Sequence, residues 1–119
     1  MSKYYLDHGK NTPEIRFDII ANVFKITGKS FPENAKKHYS DFTAWLKINK
    51  IPAGSLIELN FEYISSSSVI SVLELLREIE KQEKEIQVKW YYEEGDDDMR
   101  AVGINYQKLC ALQFEYIEI

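Results

Sequence analysis

The chain has 119 residues, of which 45% are hydrophobic and 29% charged, the balance of a soluble globular fold with one core. A formal net charge of −4 and a pI near 5.2 exclude the clustered Lys and Arg that a phosphate backbone demands, so no nucleic-acid partner is expected. The single cysteine, Cys110, excludes an internal disulfide and a thiolate metal cluster, and reads as a small core residue in a reducing cytosol.

Met1 to Lys10 is polar and charged, unlike a signal peptide, and no apolar run is long enough for membrane insertion. The expectation is a cytoplasmic protein of one domain, residues 1–119. The first strand expected is Glu14 to Ile19, with Ile15, Phe17 and Ile19 on one face. A turn at Ala21-Asn22 leads to a second strand, Val23 to Thr27, which Gly28 is expected to end. Ser30-Phe31-Pro32-Glu33 reads as a capping box, with Ser30 capping and Glu33 reaching back. The helix after it carries Ala35, His38, Tyr39, Phe42, Trp45 and Leu46 on one stripe.

The third strand, Leu56 to Tyr63, sets Ile57, Leu59, Phe61 and Tyr63 against Glu58, Asn60 and Glu62. Four consecutive serines, Ser65 to Ser68, follow it. Val69, Val72, Leu73, Leu76 and Ile79 then recur at helical spacing, predicting a helix from about Ser67 to Gln82. The serines therefore fall where free backbone N–H groups and the positive end of the helix dipole would meet a phosphate. An ordinary serine cap explains one such residue; a run of four also suits a phosphorylation switch.

Next come a strand from Ile86 to Tyr92, the acidic loop Glu93 to Asp98, a helix with Met99, Val102, Tyr106, Leu109 and Cys110 inward, and a last strand, Gln113 to Glu118. Alternating strands and helices predict an α/β domain with a largely parallel sheet. Because each strand alternates, the three helices should cover mainly one face of this mixed sheet. That is the architecture of sulfate-transporter and anti-sigma-factor-antagonist (STAS) domains.

Asp96, Asp97 and Asp98 are the obvious candidates for Mg²⁺ or Ca²⁺. Acids also suit a helix start through the dipole alone, and they lack the spacing of a calcium-binding loop, so neither a metal nor a cofactor is expected. His8 and His38 lie in unrelated elements, with no Ser or Cys nearby in a nucleophile arrangement. Tyr63, Trp90, Tyr91 and Tyr92 read as core and sheet-end aromatics. No catalytic set is found, and no enzyme is expected.

Thr12-Pro13-Glu14, Gly28-Lys29-Ser30-Phe31-Pro32-Glu33-Asn34-Ala35, Tyr63-Ile64-Ser65-Ser66-Ser67-Ser68 and Trp90-Tyr91-Tyr92 occur in the order of a known family. From about Asn11 to Ile119 the chain resembles the SiaC family of bacterial regulatory phosphoproteins, known from biofilm regulation. The resemblance implies a non-enzymatic switch with a fold similar to anti-sigma-factor antagonists. It implies a dedicated Ser/Thr kinase, a PP2C-type phosphatase, and a diguanylate cyclase effector that the unphosphorylated form activates, raising cyclic di-GMP. Laid on this sequence, the acceptor falls on Ser66, with Ser67, Ser65 and Ser68 as the other hydroxyls of the run. Ser65, Ser68, Tyr63, Tyr92, Asp96 and Asp97 would form the partner-binding surface. An anti-anti-sigma factor that binds an anti-sigma kinase, and a small metal-dependent enzyme using the acidic loop, are the alternative readings.

Overall fold

A computed structural model describes residues 2–119. Its elements are β1 (Lys3–Leu6), β2 (Glu14–Asp18), β3 (Val23–Ser30), α1 (Ala35–Ile48), β4 (Leu56–Ile64), α2 (Ser66–Gln82), β5 (Gln87–Tyr92), α3 (Asp97–Leu109) and β6 (Gln113–Glu118). The six strands form one sheet in the order β1-β2-β3-β4-β5-β6. β2 runs antiparallel to both β1 and β3, and β3 to β6 are parallel. The strand order equals the chain order, so every β-α-β crossover steps in the same direction. Right-handed crossovers that all step one way put all their helices on one face. The sheet is therefore one-sided, as the alternation of its strands requires.

Register fixes the two faces. Leu6, Ile15, Ile26, Leu59, Trp90 and Tyr116 are successive partners across the sheet, on the face that the helices cover. One residue along each strand, Tyr5, Arg16, Lys25, Glu58, Lys89 and Glu115 form the matching row on the other face. In the core, Phe17 meets Phe42 of α1 edge-on at 4.7 Å, and Trp90 meets Tyr106 of α3 edge-on at 5.4 Å. Val72, Leu75, Leu76 and Ile79 of α2 are buried with them. Leu73 and Val102, expected inside, are only partly buried.

Several expectations are corrected. β1 lies within the polar N-terminal stretch, where no strand was expected; it pairs with β2 and buries part of Tyr4 against Phe42 at 5.0 Å. Gly28 does not end its strand. It takes φ +120°, open to glycine, and β3 runs on to Ser30. At that point Gly28 pairs with Phe61 and Lys29 with Tyr63, leaving Glu62 as a bulge residue in β4. The extra residue exchanges the faces beyond it, which is why Tyr63 is 53% exposed and not in the core. Leu109, expected inward, is 50% exposed at the end of α3. Ser30 is not a helix cap: it is a fully buried strand residue, and Asn34 caps α1 by accepting from Lys37 N–H at 3.1 Å.

Candidate functional site: the serine turn

β4 enters the turn with Ser65 in extended geometry, and α2 begins at the next residue. Ser65 N–H donates to Ser30 C=O at 2.8 Å, so the end of β3 ties down the turn. Ser65 is the N-cap: its hydroxyl oxygen accepts from Ser68 N–H at 3.2 Å. Ser66 and Ser67 occupy the first two helical positions, where backbone N–H groups have no partner within the helix.

The four serines differ sharply in surroundings. Ser68 is 0% exposed, so it offers no surface to a partner, contrary to the expectation that it belongs to the partner-binding surface. Ser65 is half-buried, while Ser66 and Ser67 are exposed. Hydroxyls connect the turn to the core. Ser65 Oγ donates to Ser68 Oγ at 3.0 Å, and Ser30 Oγ donates to Ser68 Oγ at 2.9 Å. Ser30 Oγ in turn lies 2.6 Å from the Tyr39 hydroxyl of α1. Burial pushes the Tyr39 phenol up to about 12, although the Ser30 hydrogen bond opposes the shift, so it stays a neutral hydroxyl. Ser67 touches this chain only through a 3.3 Å contact with Ser65 Oγ, and Ser66 lies outside it.

Large exposed apolar side chains precede and follow the pair in the chain. Phe31, 39% exposed, meets Tyr63 edge-on at 5.6 Å, and Ile70 is 60% exposed one turn into α2. Ser67, Ile70, Ser71 and Glu74 of α2 face Glu33 and Lys36 across a cleft of about 270 Å³. Phe31 and Ile70 were not singled out as site residues in the sequence. The signal for Ile70 was present, since it falls off the apolar stripe that α2 buries.

The other expected site residues belong to the neighbouring turn. Strands β3 to β6 are parallel, so the serine turn and the acidic loop open at the same end of the sheet. Tyr92 is half-buried and its hydroxyl donates to Glu118 at 3.4 Å. Asp96 is the N-cap of α3, accepting from Met99 N–H at 3.0 Å, and Asp97 and Asp98 are exposed in the first turn. The acids thus have the helix-start role that the dipole favours. Among the described residues, no three His, Cys, Asp or Glu side chains come together to hold a metal ion. The Tyr106 hydroxyl of α3 donates to Val69 C=O at 2.7 Å, tying the body of α3 to the first turn of α2. No described helix is long and apolar enough to cross a membrane.

A one-sided sheet with an exposed serine pair at the carboxyl end of a parallel strand defines an α/β domain that presents a modifiable turn. The sequence profile of SiaC family regulatory phosphoproteins matches residues 6–119. The chain belongs to that family, which is regulatory and not enzymatic; the metal-dependent enzyme reading is set aside. Solved structures share the fold. SiaC of Pseudomonas aeruginosa is 21% identical over 100% of both chains, with a TM-score of 0.79. The SiaC in the crystal structure of the diguanylate cyclase SiaD with its activator SiaC, from the same organism, is 18% identical, with a TM-score of 0.81 over 98% of this chain and 99% of that one. Among curated protein sequences, none matches the chain significantly.

Proposed function

We propose that the protein is a cytoplasmic phosphorylation-controlled adaptor. Unphosphorylated, it binds and activates a diguanylate cyclase; a Ser/Thr kinase modifies Ser66 or Ser67, and a PP2C-type phosphatase reverses the change. The observation that carries this reading is the exposure of Ser66 and Ser67 at the first two positions of α2, with Ser67 and the exposed Ile70 lining one cleft. Membership of a phosphoprotein family supports it, as does the SiaD complex of a protein with the same fold.

The physical consequence follows from charge. Phosphorylation adds roughly −1.5 to −2 charges at pH 7. A partner docked over these serines would have to strip water from that charge, and binding would weaken. The N–H groups at the start of α2 that lack a partner within the helix can donate to the phosphate oxygens, so the domain need not unfold.

The test uses the purified cyclase from the same source. Wild type and Ser66→Ala should bind it equally and raise cyclic di-GMP synthesis. Ser66→Asp, with a single charge, should bind about tenfold more weakly, corresponding to about 1.4 kcal/mol. Its melting temperature should stay near that of wild type. Equal binding by Ser66→Ala and Ser66→Asp, or phosphate found only outside Ser65 to Ser68, would sink the proposal.

A further inference from the structure

We propose that the buried hydroxyls of Ser30, Ser68 and Tyr39 are positioning residues that decide which serine of the run is phosphorylated. This inference rests on the phosphorylation reading above. It concerns a problem that the sequence poses, because four adjacent serines offer a kinase nearly the same local peptide.

The transfer itself sets the requirement. The serine Oγ attacks the γ-phosphorus of ATP, and the bond from that phosphorus to the bridging oxygen breaks. ADP leaves with that oxygen, and the hydroxyl proton passes to a base on the kinase. The attacking Oγ must therefore turn outward and lose its own hydrogen bonds first.

The network makes that requirement selective. Ser68 Oγ accepts from both Ser30 and Ser65 and is fully enclosed. Besides its 3.3 Å contact with Ser67, Ser65 Oγ is held by two bonds with Ser68, accepting from its N–H at 3.2 Å and donating to its Oγ at 3.0 Å. Freeing Ser65 breaks both bonds and uncaps α2. Ser67 gives up one long contact of 3.3 Å, and Ser66 gives up none of the network. The anchor of the whole chain is Tyr39, 2.6 Å from Ser30 and 2% exposed on α1. None of the three positioning residues touches ATP or the kinase. They act by keeping Ser65 turned inward.

The experiment maps phosphate by mass spectrometry on the full chain. The protein is incubated with MgATP and the Ser/Thr kinase purified from its source organism by activity on the wild-type chain. Wild type should carry phosphate on Ser66 or Ser67 only. Tyr39→Phe removes the anchoring hydroxyl with little change of shape, and Ser68→Ala removes the central acceptor. Tyr39→Phe loses the bond to Ser30, and Ser68→Ala loses the bonds from Ser30 and Ser65, so phosphate at Ser65 should rise about fivefold or more. Ile79→Val, far along α2, is the stability control and should leave the distribution unchanged. An unchanged distribution in Tyr39→Phe and Ser68→Ala overturns the inference and leaves the switch standing. So does dominant Ser65 phosphate in wild type, or equal spreading in Ile79→Val. A wild-type chain with no phosphate at any of the four serines removes the switch and this inference together.

Discussion

Gly103 leaves no room for a side chain. A Cβ there would sit 2.5 Å from Trp90 Cδ1. The indole cannot give way, because its N–H donates to Met99 C=O at 2.9 Å and its ring is fully buried against Tyr106. Gly103→Ala should therefore cost about 1–3 kcal/mol through overpacking, measured by thermal or urea unfolding. A second residue-scale prediction concerns His38. Its Nε2 is buried without a hydrogen-bond partner, and burial lowers its pKa below the ordinary 6.5. The folded state holds it neutral while the unfolded chain takes up a proton. Its contribution is thus fully present above about pH 6.5 and is lost as the pH falls through that region. The drop in melting temperature between about pH 7.5 and about pH 5.5 should be smaller in His38→Leu than in wild type. A drop at least as large in the variant would exclude this role. Ser30 is the residue least legible in the sequence. Ser-x-x-Glu matches a capping box, yet the inward series Phe24, Ile26, Gly28, Ser30 continues at period two, and the strand won because Gly28, at φ +120°, lets β3 run on through the register shift to Ser30.

At the scale of elements, caps and bulges separate what could be read from what could not. The apolar stripes of α1 and α2 are plain in the sequence because burial enforces a period. Caps are not enforced in this way, since any short polar residue before the stripe serves. Asn34→Ala should destabilise by about 1 kcal/mol, whereas Glu33→Ala should be nearly silent in the same melting experiment. A larger loss from Glu33→Ala would restore the capping-box reading. β1 escaped notice because an edge strand of four residues, KYYL, carries little alternation. Tyr63 was misplaced because no residue type announces a bulge at Glu62; only the pairing of Lys29 with Tyr63 does. The acidic loop yields a further prediction. Asp96 already caps α3 and Asp97 and Asp98 lie in its first turn, so Mg²⁺ titration should leave the melting temperature unchanged. A rise that saturates with Mg²⁺ would show a bound ion.

At the scale of the molecule, one core runs from end to end of the sheet. Trp45 lies near one end, packed with Tyr4 and Phe42, and Trp90 lies near the other, packed with Phe61 and Tyr106. A single core should unfold in a single step. Fluorescence of Trp90→Phe, which reports Trp45, and of Trp45→Phe, which reports Trp90, should each give a midpoint matching that variant's far-UV transition. Separate midpoints within either variant would divide the domain. The one-sidedness of the sheet was legible because it is written in every strand at once. The serine cluster was legible as a location, but its sorting into exposed and buried hydroxyls was not. That sorting depends on Ser30 and Tyr39, which lie 38 and 29 residues from Ser68 in the chain and reach it only through the fold.

The matching of strand order to chain order also bears on how the protein is made. Each strand pairs with the one synthesised just before it, so no early strand waits with an open slot for a distant partner. A nascent chain can thus lay down the sheet from the amino end as it leaves the ribosome, each new crossover extending an edge already in place. The serine run lies in the middle of that sequence. α3 follows well after it, and its Tyr106 hydroxyl holds Val69 C=O in the first turn of α2, so the turn takes its final geometry only once α3 has been made and docked.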